Sequence, residues 1–251
     1  MKLLTYNIHK GFSAFGGKLV LKQMKTAFER VAPDLVLLQE IHGEHRRHRD
    51  RVEDWPMQPQ LEFFADRLWG HYAYGKNAIY EDGDHGNAIL SKLPFVRWEN
   101  QNVSDYSWAS RSILHGVILD PKQANAKHVH VVCVHFGLLF SERGRQLESL
   151  AERIRREVAP GEPLIVAGDF NDWNEKADAF LSHKMGMRDA FFAIHGRRAR
   201  TFPAYLPVLP TDRIYIRDLD VVSAQVLRGD PWNRLSDHLP ILAEFSLSNR
   251  A

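Results

Sequence analysis

The chain contains the stretch Leu164-Ile165-Val166-Ala167-Gly168-Asp169-Phe170-Asn171, in which four apolar residues lead into a carboxylate and an amide. A short apolar run bounded by turn residues is typical of a buried strand. The segment before it has apolar residues at helical spacing and ends at Pro160-Gly161. The pattern predicts a helix with Ser141 as its N-cap, followed by a buried strand that presents polar groups at its carboxyl end.

The amino-terminal part of the chain repeats this arrangement. Leu3 to Ile8 and Asp34 to Glu40 are apolar-rich runs that end in polar residues, and the apolar residues between Leu19 and Val31 fall on one helix face. Further strands are predicted at 87–90, 112–119, 128–134, 213–216, 220–227 and 239–247. Many strands with helices between some of them predict one domain, residues 1–251, of two sheets packed face to face with helices outside.

Composition excludes several classes of protein. The 251 residues carry a formal charge of +2, which excludes a strongly basic chain that binds nucleic acid by bulk charge. The single cysteine, Cys133, excludes an internal disulfide and favours the cytoplasm, and we expect it to be a buried small apolar residue. We expect neither a signal peptide nor a transmembrane segment, because no apolar run is long enough.

Polar side chains stand at the ends of several predicted strands. Any one of them is an ordinary turn former. Together, at one rim of a sheet, they predict a common active site. These residues are Asn7, Glu40, His135, Asp169, Asn171, Asp212, Asp237 and His238.

The motifs around these residues resemble those of the endonuclease/exonuclease/phosphatase superfamily, in the family's order. They are Thr5-Tyr6-Asn7-Ile8, Leu38-Gln39-Glu40, Gly86 to Ser91, His135-Phe136-Gly137, Gly168 to Asn171, Thr211 to Ile214 and Ser236-Asp237-His238. The resemblance implies an α/β (α+β) fold, a four-layer α/β sandwich of two mostly antiparallel sheets. Thr5 to Gly11 is similar to the start of small bacterial members in the deoxyribonuclease I-like group.

The resemblance also implies a Mg²⁺-dependent phosphoesterase, with Mn²⁺ as a possible substitute. Glu40 would hold the metal, with Asn7 as a neutral oxygen ligand and Asp237 in contact through water. Hard oxygen ligands of this kind are those that Mg²⁺ prefers. His238 would act as the general base, oriented by Asp212.

The remaining predicted site residues would act on the attacking water and the phosphate. Asp169 would orient the water or help deprotonate it, and Asn171 and a protonated His135 would bind phosphoryl oxygens. Asn87 and Arg111 are further candidates for phosphate contact. Trp173, two residues after Asn171, is a candidate substrate contact.

The basic segment from His42 to Arg51 follows Glu40 directly, and two interpretations of it stay open. It either contacts substrate phosphates or an anionic surface, or forms a solvated loop whose acidic residues offset part of its charge.

The substrate class also stays open. A nucleic-acid phosphodiester is favoured, and a phospholipid, in a sphingomyelinase-like reaction, or a sugar or inositol phosphate is the alternative. His135-Phe136-Gly137 and Ile41-His42 depart from the pattern of abasic-site enzymes and weigh against that activity. A non-catalytic binding module is a remote alternative, because every major position holds a competent residue. No obligate protein partner is evident.

Overall fold

The computed structural model describes residues 1–14, 17–66, 68–80, 82–105, 111–119 and 128–247. The first six strands are β1 (Lys2–Asn7), β2 (Leu35–His45), β3 (His71–Tyr80), β4 (Gly83–Ser91), β5 (Phe95–Asn102) and β6 (Ser112–Leu119). The others are β7 (His128–His135), β8 (Leu164–Asp169), β9 (Arg188–Asp189), β10 (Asp212–Arg217), β11 (Leu219–Val226) and β12 (Ile241–Leu247). The helices are α1 (Leu21–Val31), α2 (Arg46–Arg51), α3 (Gln60–Ala65), α4 (Phe140–Glu157), α5 (Lys176–Met185), α6 (Ala190–His195) and α7 (Trp232–Leu235).

The strands form two six-stranded sheets. The first has the order β11-β12-β1-β2-β4-β3 and the second the order β5-β6-β7-β8-β10-β9. In each sheet one neighbouring pair is parallel, β1 with β2 and β7 with β8, and the other neighbours are antiparallel. The expected pair of mostly antiparallel sheets is confirmed.

Three apolar cores separate four layers. The first lies between the sheets, where Leu37 and Ile89 of one sheet belong to the same cluster as Cys133 and Ala167 of the other. In the second, Met24 and Phe28 of α1 lie against the outer face of the first sheet. In the third, α4 and α5 cover the outer face of the second sheet. Each central strand therefore faces an apolar core on both sides, which explains the continuous apolar runs in the sequence.

Strand register places polar residues in one row at the end of the second sheet. His135 of β7 pairs with Asp169 of β8, and Asp169 pairs with Asp212 of β10. Two residues earlier on β7 and β8 lie Cys133 and Ala167, which pair with each other and face the core between the sheets. Side chains alternate across a strand, so the polar row continues the inward-facing side of the sheet.

Two backbone features adjust the strands at this end. The pairing of β2 with β4 shifts between Leu38 and Ile41, and Glu40 inside this bulge has a φ of 57°. A bulge redirects the side chains of the strand that carries it. On β8, Gly168 has a φ of 145°, and a Cβ there would lie 2.0 Å from the Val134 carbonyl oxygen. Glycine therefore permits the close approach of β7 and β8.

A buried polar chain ties α4 to the second sheet. Nε of Arg153 donates to Nδ1 of His115 over 3.2 Å, and Nε2 of His115 lies 2.9 Å from Nδ1 of His130. Nε2 of His130 lies 3.0 Å from Glu162. Because Arg153 can only donate and the carboxylate only accept, each imidazole passes one hydrogen bond along the chain and stays neutral. Burial and the Arg153 charge lower the pKa of His115 to about 3.

Some local expectations differ from the structure. The fourth helix begins at Phe140 and is flanked by Leu139, so Ser141 lies inside it and is not its N-cap. The segment from His42 to Arg51 is not a loop, because β2 continues to His45 and α2 follows. Cys133 is buried as expected. In the parts of the chain that the structure describes, the helices are too short or too polar to cross a membrane.

Candidate active site

His238 and Asp212 form a buried pair at the end of the sheets. Nδ1 of His238 lies 2.9 Å from Oδ2 of Asp212, and both side chains are buried. Burial opposes the charged imidazole, but Asp212 and then Asp169 outweigh it and raise the pKa of His238 to about 10. With its proton on Nδ1 fixed by Asp212, the neutral ring presents Nε2 as the basic atom.

Two threonines hold the Asp212 carboxylate in place. The same Oδ2 accepts hydrogen bonds from Thr201 Oγ1 over 2.5 Å and from Thr211 Oγ1 over 2.9 Å. Thr211 belongs to one of the predicted motifs, whereas Thr201 was not predicted as a positioning residue. The two threonines lie ten positions apart in the sequence, and an isolated threonine carries no sequence signal for such a contact.

Asp169 lies at the centre of the row. Its Oδ2 is 3.8 Å from His238 Nε2 and 3.7 Å from His135 Nε2. Burial raises its pKa to about 7, an effect that His238 opposes and Asp212 reinforces. A buried carboxyl group with a raised pKa beside two imidazoles is suited to proton transfer.

The surroundings of His135 favour a neutral ring over the protonated ring expected from the sequence. It is buried, and burial followed by the charge of Arg111 lowers its pKa well below the ordinary value. A neutral imidazole can still donate one N–H to an oxyanion. Nε2 lies 4.0 Å from Glu40 Oε1, so this ring stands between the two sheets' carboxylates.

Glu40 and Asp169 converge from opposite sheets on the side chain of Asn7. Nδ2 of Asn7 lies 3.4 Å from Glu40 Oε1 and 3.1 Å from Asp169 Oδ2, while Oδ1 accepts the backbone N–H of His9. Two carboxylates directed at one point fit a hard cation, and the amide nitrogen occupies the place between them. An oxygen ligand from Asn7 would require its amide to turn over.

Asn171 and Asp237 lie on the loops that follow β8 and α7. Asn171 has a φ of 50°, which asparagine tolerates, and its Nδ2 donates to the Phe136 carbonyl over 2.9 Å. Its backbone N–H donates to Asp169 Oδ1 over 2.9 Å. Asp237 is partly exposed and lies 3.9 Å from His9 Nδ1, so its carboxylate faces the same rim.

The three further candidates surround this centre. Asn87 lies on β4 and donates to Ser112 over 3.2 Å, while its buried Oδ1 has no hydrogen-bond partner among the described residues. Arg111 lies close enough to His135 to affect its pKa. Trp173 is 39% exposed, and the Arg143 guanidinium lies 5.0 Å from its ring centre.

The Endonuclease/Exonuclease/phosphatase family model matches residues 4–238, an interval that includes every predicted site residue from Asn7 to His238. The chain belongs to this family. Membership supports a hydrolase that acts on phosphoester bonds.

Relatives and solved structures agree with this assignment. The chain is 44% identical to the protein YbhP of Escherichia coli K12 over 246 residues, which cover 98% of this chain and 96% of YbhP. An endonuclease/exonuclease/phosphatase from Beutenbergia cavernae has a TM-score of 0.81 at 20% identity, covering 99% of this chain and 72% of its own. A mannosyl-6-phosphatase from Bacteroides thetaiotaomicron has a TM-score of 0.72 at 17% identity, covering 98% and 100%. These structures share the fold with this chain.

Proposed function

We propose that the chain is a Mg²⁺-dependent phosphodiesterase that hydrolyses nucleic-acid phosphodiester bonds. The observation that best supports this is the position of His238 between Asp212 and Asp169, with Glu40 facing Asp169 across Asn7. We further propose that it acts as a single domain, belongs with the small bacterial members that share Thr5 to Gly11, and works in the cytoplasm.

In this proposal His238 Nε2 takes a proton from the attacking water as its oxygen forms a bond to phosphorus. Asp212 keeps the opposite ring nitrogen protonated and stabilises the imidazolium that results. Asp169 orients the same water. The bond to the leaving oxygen breaks on the opposite side of the phosphorus, in line with the attack.

The phosphoryl oxygens are bound by the other side chains at the rim. Neutral His135 donates Nε2–H, and Asn171 donates its second amide hydrogen. Arg111, directly before β6, and Asn87 of β4 also contribute. Mg²⁺, held by Glu40 with Asn7 and Asp237 and replaceable by Mn²⁺, would offset the negative charge on the phosphoryl oxygens and the leaving group.

Nucleic acid is proposed as the substrate because of exposed charge beside Glu40. All four arginines of α2 are exposed and lie six to eleven residues after Glu40, which suits a substrate with several phosphates. The arginines are Arg46, Arg47, Arg49 and Arg51. Trp173 offers a partly exposed ring on the opposite loop for stacking on a base.

A phospholipid is a second candidate, favoured by exposed apolar residues near the site. Leu138, Leu139 and Phe140 follow His135 by three to five residues and are 59%, 52% and 55% exposed. Consecutive large apolar side chains at a surface are typical of contact with a partner or a lipid.

Parallel hydrolysis assays test the proposal. Bis-(4-nitrophenyl) phosphate, DNA, RNA and phospholipid vesicles are each incubated with the full chain in Mg²⁺ or Mn²⁺. Glu40→Gln and His238→Ala should lower kcat/KM by about 10²-fold or more. Glu44→Gln is the matched control on an exposed residue of the same strand and should remain active. Full activity of either site variant would disprove the site assignment, and cleavage of vesicles alone would replace nucleic acid by lipid.

A further inference from the structure

Three histidines outside the proposed catalytic machinery gather where β2 runs into α2. His42 and His45 lie on β2, and His48 lies in α2. One ring nitrogen of each lies within 4.8 Å of those of the other two. We call this group the His42–His45–His48 cluster.

The hydrogen bonding of His42 defines its protonation. Nδ1 lies 3.3 Å from the backbone carbonyl oxygen of Asp84, which can only accept, so Nδ1 carries the proton. Nε2 is then a bare lone pair. The His42 residue is 2% exposed, and its buried Nε2 has no hydrogen-bond partner within the described ranges. Metal-ligating histidines are oriented in the same way: one ring nitrogen donates its N–H to a carbonyl oxygen, and the other faces the metal.

His48 and His45 complete the cluster. Nδ1 of His48 is also buried without a hydrogen-bond partner in the described part of the chain. Burial, followed by the neighbouring His45 and Lys10, lowers the pKa of His48 and so favours the neutral form that binds metals. Its ring stacks on that of His45 at 3.6 Å between centres and 8° between planes. His45 Nδ1 accepts the His48 backbone N–H over 3.1 Å and thereby caps α2.

Two aromatic side chains pack against the cluster. The ring centres of His48 and His42 lie 4.9 Å and 5.6 Å from Trp55, and that of His48 lies 5.5 Å from Phe12. An apolar wall strengthens metal binding because it limits competition from water. Two buried nitrogens that lack hydrogen bonds are costly to maintain unless they are satisfied by a ligand.

We propose that the His42–His45–His48 cluster binds a borderline divalent transition-metal ion such as Zn²⁺, separately from the catalytic centre. Neutral imidazoles favour Zn²⁺, Ni²⁺ and Cu²⁺, whereas Mg²⁺ prefers oxygen ligands. Tetrahedral Zn²⁺ holds two nitrogens ~3.3 Å apart, so binding requires the nitrogens to approach from up to 4.8 Å and the stacked His45 and His48 rings to turn towards one ion. The bound ion fastens α2 to the end of the bulged strand that carries Glu40.

Calorimetric titration of the full chain with Zn²⁺ in excess Mg²⁺ tests the proposal. Mg²⁺ competes for the catalytic carboxylates, and the comparison with variants of the cluster assigns the bound Zn²⁺ to the histidines. His45→Asn preserves a residue that can cap α2 while it removes the imidazole. His48→Gln removes the second, partly exposed ring. His128→Gln changes an exposed histidine at the start of β7 and is the control.

The expected result is one Zn²⁺ per chain in the unchanged protein and in the control, with binding at least tenfold weaker in both cluster variants. Co²⁺ in place of Zn²⁺ should give visible d–d absorption that both cluster variants lose. Far-UV circular dichroism verifies that the variants are folded. Absence of Zn²⁺ binding by the unchanged protein, or equal binding by the cluster variants, would overturn the proposal. Neither result depends on catalytic activity, so this site and the proposed function can fail separately.

Discussion

Asp212→Asn is the change that most directly tests how His238 works. At a 2.9 Å contact the two charge centres lie ~4 Å apart, and their attraction is about 4 kcal/mol at an effective dielectric constant of 20. That energy corresponds to about three pH units at most, and a neighbouring carboxylate typically accounts for one to three. Because Asp212 raises the pKa of His238, its removal should lower that pKa by about two to three units.

The pH dependence of kcat/KM for a nitrophenyl phosphodiester measures this change. His238 must be neutral to act as the base. The kcat/KM of the unchanged protein should therefore rise with pH along an acid limb, and the midpoint of this rise should lie above the ordinary histidine pKa of 6.5. In Asp212→Asn the limb should move about two to three pH units lower while the plateau falls by about 10²–10⁴-fold. The variant's deficit should therefore be smaller at acid pH than at alkaline pH. NMR titration of the His238 ring reports the same pKa directly.

Asp189→Asn is the matched control for burial. Asp189 is a buried carboxylate that caps α6 and lies 3.5 Å from Nε of Arg213, away from His238. Its replacement should lower stability and leave the acid limb where it was. An unmoved limb in Asp212→Asn, or a limb at higher pH, would refute the assigned role of the pair.

Three further outcomes are expected. Gly168→Ala should destabilise the protein by at least about 2 kcal/mol in urea unfolding, because its Cβ would meet the Val134 carbonyl; Gly144→Ala, with open space around it, should be neutral or stabilising. Lowering the pH from 7 to 5 should reduce the free energy of unfolding by about 2 kcal/mol through His115 alone. The reason is that this ring binds a proton below pH 6.5 in the unfolded chain but only below about pH 3 in the folded chain. His115→Gln should make the free energy of unfolding less dependent on pH in this range, and His128→Gln should leave that dependence unchanged. The same pH dependence in both variants would contradict the role of His115. EDTA should abolish phosphodiesterase activity and Mn²⁺ should restore it, and activity that survives exhaustive chelation would exclude the metal.

The central strands could be predicted from the sequence because they are buried on both faces. Residues 112–119 form a strand with the predicted bounds. The strand predicted at 164–167 continues for two more residues, Gly168 and Asp169. The edge strands β3 and β5 were missed. β5 is mostly exposed or half-buried, so its sequence lacks the apolar run that marks an inner strand.

The site could be predicted as a set of residues but not as a geometry. His135, Asp169 and Asp212 were predicted because each is a polar residue at the end of a strand. The register of the strands then aligns the three in one row. The bulge at Glu40 left no signal, because nothing about glutamate indicates a positive φ. The neutral state of His135 depends on burial and on Arg111, which are properties of the folded molecule.

The row His135, Asp169 and Asp212 has a consequence for how this fold changes over evolution. The side chains that do chemistry and those that fill the space between the sheets belong to the same alternation along the same strands. Inserting or deleting one residue within β7 or β8 would turn both sets outward at once. Such a change would therefore destroy the site and the core together. Segments such as the one from Leu138 to Phe140, and the loop that carries Trp173, lie outside this alternation. Exposed side chains in these segments, such as Leu139 and Trp173, can change without turning the row of polar side chains outward.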